Sequence, residues 1–410
     1  LLGVSSVITS SQLISKLKGQ NMSFGSVEER FFILEKESGG LSSVDKVGAL
    51  FSALFRKRRL KEDICDEAVI LFTSGSESMP KAVPLSHRNI LTNIDDVLSF
   101  DFLQKNEAFL GFLPPFHSFG LTVSILLPLL SGMRTVFYPN PTEGSMLSNL
   151  IEHYRCTLLV GTPTFLAGIL RTTHGKELQS LRIAVTGAEK CPESVYSELE
   201  RKCPGVIILE GYGITECSPV VSVNRPGNPV PYTIGSIMPS LEYIILDVNS
   251  SKPVEPGQKG MLYVKGKSVF SGYIKYSGED PFVEIDGDKW YKTGDLVVED
   301  KNGILTFAGR LKRFIKLGGE MISLPAIENI LLAEYRSEDE ITLAVGTEGG
   351  EENPEIVLYT VLDIERDEVN RLLKGAGFSP LYNIRRIKKV DEIPVLGTGK
   401  TDYRALESSD

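Results

Sequence analysis

Short apolar runs recur along the chain from residue 68 onward. Ala68-Val-Ile-Leu-Phe72, Leu158 to Val160, Ile183 to Thr186 and Val206 to Leu209 are each bounded by turn-forming residues. Their length and flanks predict buried strands. Helical spacing of apolar residues separates them, with one helix starting at about Ser86. Strand–helix alternation implies a largely parallel sheet covered by helices. After residue 232 the texture changes. Segments 242–248, 260–265 and 304–307 read as strands, with turns at Pro256-Gly257 and Asn302-Gly303, and predict a smaller β subdomain. Beyond Arg310 lies an α+β region of about 100 residues, a separate domain by size, with Gly318-Gly319 just inside its start. Residues 1–40 read as short strands and helices, and Leu41 to Ser43 marks a break. Val44, Val47, Phe51, Leu54 and Phe55 then follow helical spacing and end in Arg56-Lys-Arg-Arg59. This stretch is either a helix docked on its own domain or one lying on a membrane surface.

A chain of 410 residues corresponds to about two or three domains and buries a large core. Hydrophobic residues are 42% and charged residues 24%, which excludes a disordered chain, collagen or a disulfide mini-scaffold. The net charge of -9 argues against nucleic acid, whose phosphates need a cationic surface. A second basic run, Arg385, Arg386, Lys388 and Lys389, is either a solvated face or a contact for an acidic partner or anionic lipid. The five cysteines are odd in number and include no C-x-x-C pair. That argues against a disulfide framework or structural zinc and fits a reducing cytosol; Cys217 reads as packing. No apolar run reaches the length of a membrane span. The best, Leu121 to Leu130, contains Pro128. No signal peptide is evident, and the chain opens on Leu1, as a part of a longer protein would.

Four motifs carry candidate chemistry. Thr73-Ser-Gly-Ser-Glu-Ser-Met-Pro-Lys81 follows an apolar strand. Small hydroxyl residues and glycine let backbone N–H groups approach phosphate oxygens, and Lys81 adds a point charge. The Walker spacing is absent, and a Ser/Gly-rich loop can equally be a linker. Glu210-Gly-Tyr-Gly-Ile-Thr-Glu216 offers a hydroxyl at Thr215 for a phosphate and a carboxylate at Glu216 for Mg²⁺, which prefers oxygen ligands. Its other reading is a capped helix start. Tyr291-Lys-Thr-Gly-Asp295, followed by Gly309-Arg310, places an aspartate suited to ribose hydroxyls, or one in a β-turn. Pro394-Val-Leu-Gly-Thr-Gly-Lys400 presents one cation on a flexible loop, and alone it reads as a solvated tail.

In this order the four motifs resemble the adenylate-forming (AMP-binding) superfamily of acyl- and aryl-CoA ligases, over residues 65–410. Ile70-Leu-Phe-Thr-Ser-Gly-Ser-Glu77, Pro115-Phe-His-Ser-Phe-Gly-Leu-Thr122, Leu209-Glu-Gly-Tyr-Gly-Ile-Thr-Glu-Cys217 and Leu396-Gly-Thr-Gly-Lys400 are most similar to the acyl-[acyl-carrier-protein] synthetase part of bacterial bifunctional 2-acylglycerophosphoethanolamine acyltransferases. The resemblance implies an α/β adenylate-forming fold. Residues 1–309 would form a large N-terminal domain of layered α/β sheets, its start absent and its β subdomain at about 232–309. Residues 310–410 would form a small mobile α+β domain hinged at Lys312. It implies that Thr73, Ser74, Gly75, Ser76 and Lys81 contact the ATP phosphates. Ser76-Glu77-Ser78 stands where Thr-Thr-Gly is common. Gly187, Ala188 and Glu189 would lie along the adenine. Tyr212, beside Gly213, would stack on it. Thr215 would hold the α phosphate, Glu216 would bind Mg²⁺, and Asp295 and Arg310 would hold the ribose. Lys400 is the implied catalytic lysine of adenylation. His117 is placed by the acyl-carboxylate entrance, against the alternative of a satisfied core histidine.

The implied reaction activates a long-chain fatty acid with ATP and Mg²⁺ as acyl-AMP. It then delivers the acyl group to acyl-carrier protein, linked to lysophosphatidylethanolamine reacylation. The alternative is a long-chain acyl-CoA synthetase, which differs only in the thiol. An adenylate-binding protein without turnover is disfavoured because Glu216 and Lys400 are both present. No feature favours a luciferase-like oxygenase. None of the four histidines has Asp five residues on, so lysophospholipid acyl transfer would need another domain or a partner acyltransferase. The expected location is the cytoplasm, at or near the inner membrane face.

Overall fold

The computed structural model describes residues 5–19, 23–40, 42, 44–45, 47–48, 65–73, 81–100, 103, 106–317, 320–335, 341–349, 354–395 and 401–407. They belong to two units, Leu1–Cys65 and Asp66–Asp410. In the first, β1 (Val7–Thr9) pairs in parallel with β2 (Phe31–Ile33), and the helix Ser11–Gly19 lies between them in sequence. Of the predicted amphipathic stretch, Val44 and Val47 are exposed, and Phe51, Leu54, Phe55 and the basic run to Arg59 lie outside the described residues.

The second unit begins with a two-stranded antiparallel pair, β3 (Glu67–Thr73) and β4 (Lys81–Ser86). Here the sequence reading needs correction. Ala68 to Phe72 does not enter the parallel sheet, and Phe72 is 47% exposed. β4 was not anticipated. It contains Pro84, which lacks an N–H and is tolerated where a strand is paired on one side only. Ser86 then caps the helix His87–Leu98 in a reciprocal box. Its hydroxyl accepts from the Asn89 N–H at 3.0 Å, and the Asn89 side chain accepts from the Ser86 N–H at 2.9 Å, which satisfies two otherwise orphaned donors.

The predicted parallel sheet is present. β5 (Ala108–Gly111), β6 (Arg134–Phe137), β7 (Leu158–Gly161), β8 (Ile183–Gly187) and β9 (Ile207–Gly213) all pair in parallel. β10 (Val220–Val223) and β11 (Ser236–Ile237) add antiparallel strands beyond β9, giving the order β11-β10-β9-β8-β7-β5-β6. The intervening helices include Gly144–Tyr154, Pro163–Thr172 and Glu193–Lys202. Phe109, Leu147, Ile151, Leu159, Ile183 and Leu199 are fully buried between sheet and helices. Burial stabilises by about 1.5–3 kcal/mol for each such side chain.

The β subdomain comprises β12 (Leu241–Leu246), β13 (Lys259–Gly266), β14 (Phe282–Ile285), β15 (Asp288–Glu299) and β16 (Leu305–Arg310). Two of these, β14 and β15, escaped the sequence reading, and β15 is a strand of 12 residues. The remainder forms the hairpin β17 (Phe314–Leu317) with β18 (Glu320–Ser323). It also forms the three-stranded sheet β19 (Leu343–Glu348), β20 (Glu355–Thr360) and β21 (Arg386–Lys389). Ile327, Leu331, Val345, Leu358, Val369 and Leu373 make a core of their own. The basic run on β21 is neutralised locally. Arg386 pairs with Glu348 at 2.9 Å and Glu355 at 3.4 Å, Lys388 with Glu348 at 2.6 Å, and Lys389 with Asp363. Among the described residues no helix is long and apolar enough to cross a membrane.

Candidate active site

Parallel sheets bind ligands at the carboxyl ends of their strands. Here the ends of β8 and β9 carry two of the sequence motifs. Gly187 ends β8 and is the register partner of Gly211 on β9. Ala188 follows at φ +70°, a left-handed conformation unusual for a residue with a side chain. Glu189 accepts a hydrogen bond from Thr164 at 2.8 Å, which turns its carboxylate toward the start of the helix Pro163–Thr172. Glu210-Gly-Tyr-Gly213 does not follow a strand as predicted; it is the last part of β9. Nor does a helix start at Thr215. Thr215–Cys217 is one 3-10 turn, and the chain reverses into β10 through Ser218 at φ +74°. The reversal brings the Pro219 carbonyl against β9, where it accepts from the Ile214 N–H at 2.9 Å. A Cβ on Gly213 would meet that carbonyl oxygen at 2.5 Å. Gly213→Ala is therefore expected to cost about 1–3 kcal/mol by overpacking and to lower the melting temperature by several degrees. A thermal melt of the variant checks this.

Glu216 is 8% exposed. Its Oε1 accepts from the Tyr273 hydroxyl at 2.7 Å, and that hydroxyl lies 3.4 Å from the hydroxyl of Tyr291. Burial pushes the Glu216 carboxyl above its ordinary range, opposed by the Tyr273 hydrogen bond and by the charges of Arg310 and Lys81. A desolvated carboxylate with an oxygen-rich surround fits a hard divalent cation, which would remove the cost of burying its charge. Thr215 shares a 3.1 Å hydrogen bond with Ser118. His117, beside Ser118, is half-buried with its ring 5.7 Å from that of the exposed Phe116. Buried Cys217 has its thiol pushed well up by desolvation, in keeping with a packing role.

The Asp295 motif lies within β15, not in a turn. Asp295 is 1% exposed and is the register partner of Arg310 on β16. Its Oδ1 accepts from Arg310 Nε at 3.1 Å and its Oδ2 from the Tyr212 hydroxyl at 2.5 Å. The Asp295 charge holds the Arg310 guanidinium above its usual range. Burial and the same charge keep the Tyr212 phenol protonated. The Tyr212 ring lies 5.8 Å from Phe307 at 31°. One aspartate thus joins strands β9, β15 and β16, with lone pairs left to accept a further hydroxyl from each oxygen.

Thr73 and Lys81 are register partners at the end of the β3–β4 pair where the connecting segment leaves and returns. Ser74, Gly75 and Ser76 lie outside the described residues, as does Lys400. Lys312 sits in a one-turn 3-10 helix, Leu311–Arg313; its side chain is outside the description. The ammonium of Lys81 lies 4.6 Å from the ring centroids of both Tyr273 and Tyr276, within cation–π range. The segment carrying these tyrosines is tied to β4, since the Ile274 N–H donates to Ala82 O at 3.0 Å. Tyr273 and Tyr276 are the residues the sequence reading missed. Tyr273 touches both Lys81 and Glu216, and so joins the first motif to the second. The only available signal was the spacing in Ser271-Gly-Tyr-Ile-Lys-Tyr276.

The chain is similar to known proteins in sequence and in fold. The medium-chain fatty-acid–CoA ligase of Escherichia coli K12 is 32% identical over 288 residues, covering 68% of this chain and 50% of the relative. The long-chain-fatty-acid–CoA ligase of Salmonella typhimurium is 30% identical over 316 residues, covering 75% and 55%. The chain spans about half the length of these curated relatives. The ATP-bound structure of MatB from Rhodopseudomonas palustris superposes with a TM-score of 0.79 at 22% identity, covering 99% of this chain and 79% of that one. O-succinylbenzoate CoA synthetase of Bacillus subtilis, with ATP and magnesium ion, gives 0.75 at 20%, covering 97% and 78%. The fold is the α/β fold of adenylate-forming enzymes. A family model described as AMP-binding enzyme covers residues 21–274, and with motifs and fold in agreement the chain belongs to that family.

Proposed function

We propose that the protein activates a long-chain fatty acid with ATP and Mg²⁺ and transfers the acyl group to CoA. The observation that carries this is the cluster of Lys81, Glu216 and the Tyr212–Asp295–Arg310 group beside the carboxyl end of β9, in a chain similar to fatty-acid–CoA ligases. In the first step a fatty carboxylate oxygen attacks the α phosphorus of ATP, and the bond to pyrophosphate breaks. The nucleophile is already ionised, so the protein's task is orientation and charge neutralisation. Lys81, Thr73 and the loop residues Ser74, Gly75 and Ser76 face the phosphates, and Thr215 holds the α phosphate. Glu216 would hold Mg²⁺, which would neutralise phosphate charge when bound. Asp295 and Arg310 hold the ribose, Tyr212 stacks on adenine beside Gly187, Ala188 and Glu189, and His117 lines the carboxylate entrance. Lys400 faces the forming adenylate. In the second step the CoA sulfur attacks the acyl carbonyl and the bond to AMP breaks. Residues 310–410 act as a mobile domain hinged at Lys312, which exchanges the two active-site walls.

CoA is preferred over acyl-carrier protein as acceptor because the curated relatives are CoA ligases. In addition, Arg386, Lys388 and Lys389 are each paired with a carboxylate, which removes most of the surplus charge that would steer an acidic carrier. The test offers ATP, Mg²⁺ and a labelled long-chain fatty acid with CoA and holo acyl-carrier protein in parallel. Acyl-CoA is the expected product. Acyl-carrier-protein thioester alone would overturn the acceptor, and no pyrophosphate release with any carboxylic acid would overturn the ligase itself.

A further inference from the structure

The geometry points to Arg313, Glu328 and Tyr403 as a lock that fastens the Lys400 segment to the strand leaving the hinge, and so positions the lysine for adenylation. The inference rests on the proposed role of Lys400 in that step. Two arginines flank the joint. Arg310 is held by Asp295, as described above. Three residues on, Arg313 is held by different partners. Its Nη2 meets Glu328 Oε2 at 3.0 Å and its Nη1 donates to Val345 O at 2.9 Å. Both side chains of this ion pair are largely buried, at 17% and 15% exposure. Glu328 also accepts from the Val345 N–H at 2.7 Å and from the Tyr403 hydroxyl at 2.7 Å. The Arg313 guanidinium stacks 3.7 Å from the centre of the Tyr403 ring. Tyr403 is thus gripped at its hydroxyl and at its face.

Tyr403 lies three residues beyond Lys400. The base of the segment between Pro394 and Tyr403 is closed. Val395 bridges to Thr401, and the Asp402 N–H donates to Pro394 O at 2.7 Å. The chain that carries Lys400 therefore leaves from and returns to a stapled base, and Tyr403 ties that base to Arg313, next to Lys312. Between Arg310 and Arg313 only Leu311 and Lys312 lie outside both grips. A rotation at those two residues carries Arg313, Glu328, Tyr403 and the Lys400 base together. Arg313, Glu328 and Tyr403 act through Lys400 and are positioning residues.

The test uses the full chain and two variants. Tyr403→Leu removes both grips. Tyr403→Phe keeps the ring over Arg313, loses only the hydroxyl, and remains informative if the first variant fails to fold. Each is assayed for ATP–pyrophosphate exchange and, separately, for CoA acylation from supplied acyl-AMP, alone and combined with Lys400→Ala. Tyr403→Leu is expected to lower kcat of exchange about 10-fold and Tyr403→Phe about 3-fold, with KM for ATP and the acyl-AMP reaction within twofold of the parent. In the Lys400→Ala background neither variant causes further loss, because the group being positioned is gone. Equal loss in both half-reactions, no loss, or a loss additive to that of Lys400→Ala overturns the lock while leaving the assignment of Lys400 intact. Exchange that survives Lys400→Ala overturns that assignment, and the lock with it.

Discussion

Replacing Glu216 with Gln is expected to lower ATP–pyrophosphate exchange by about 10²- to 10³-fold while raising the melting temperature of the ligand-free protein by about 1–3 °C. Both effects have one cause. The carboxylate is buried, and desolvation raises its pKa above the ordinary 4.5. The folded protein therefore holds this proton more tightly than the unfolded chain does. Stability from this group is greatest at acid pH and is lost as pH rises through the raised folded-state pKa. Glutamine has no charge to desolvate, and it still accepts from the Tyr273 hydroxyl. Its advantage over the parent is thus largest above the folded-state pKa and disappears as pH falls toward 4.5. Mg²⁺ with a non-hydrolysable ATP analogue reverses the order, because binding stabilises the parent more than the variant. Thermal melts at pH 5 and pH 8, with and without that ligand, check the claim. A variant less stable than the parent at pH 8 without ligand would count against it.

Lys400→Ala is expected to reduce exchange by about 10³-fold, the scale of losing a charged group that acts only in the transition state. Thioester formation from supplied acyl-AMP should stay within threefold. The separation follows from the chemistry of the two steps. The first builds negative charge on a pentavalent phosphorus, where a cation stabilises. The second expels AMP from an acyl carbon and makes no such demand. The two half-reactions, run on the same preparation, give the answer. Equal loss in both would remove Lys400 from its assigned role.

The parallel sheet was legible because β7, β8 and the Ile207–Leu209 part of β9 are short, largely buried and apolar, a signature that needs no partner to be read. β3 has the same texture but pairs with β4 alone, and periodicity carries no information about which strand is the neighbour. β15 was not legible as a strand because Thr293-Gly294-Asp295 is locally polar and left a β-turn open as an alternative. Pairing on both sides with β13 and β16 overrides that local preference. The site divides in the same way. Glu216, Asp295, Arg310 and Lys81 stood out because their motifs are contiguous in sequence. Tyr273 and Tyr276 did not, since a tyrosine's role beside a distant lysine exists only after the fold has brought β4 and residue 274 together. The partners of the basic run on β21 were not legible for a related reason. Its counter-charges, Glu348, Glu355 and Asp363, come from other parts of the chain.

The register pairing of Thr73 with Lys81 has an evolutionary consequence. Both ends of the phosphate segment are fixed by the β3–β4 ladder, so the residues between them are not needed to hold the hairpin closed. With the phosphate contacts proposed above, substitutions there would act on nucleotide handling and leave the ladder, and hence folding, largely untouched. Ser76-Glu77-Ser78, where the family commonly has Thr-Thr-Gly, is a change of this type. On that proposed role, affinity for ATP and stability of the fold are separable traits at this hairpin, and a lineage can drift in the first without first gaining reserve in the second.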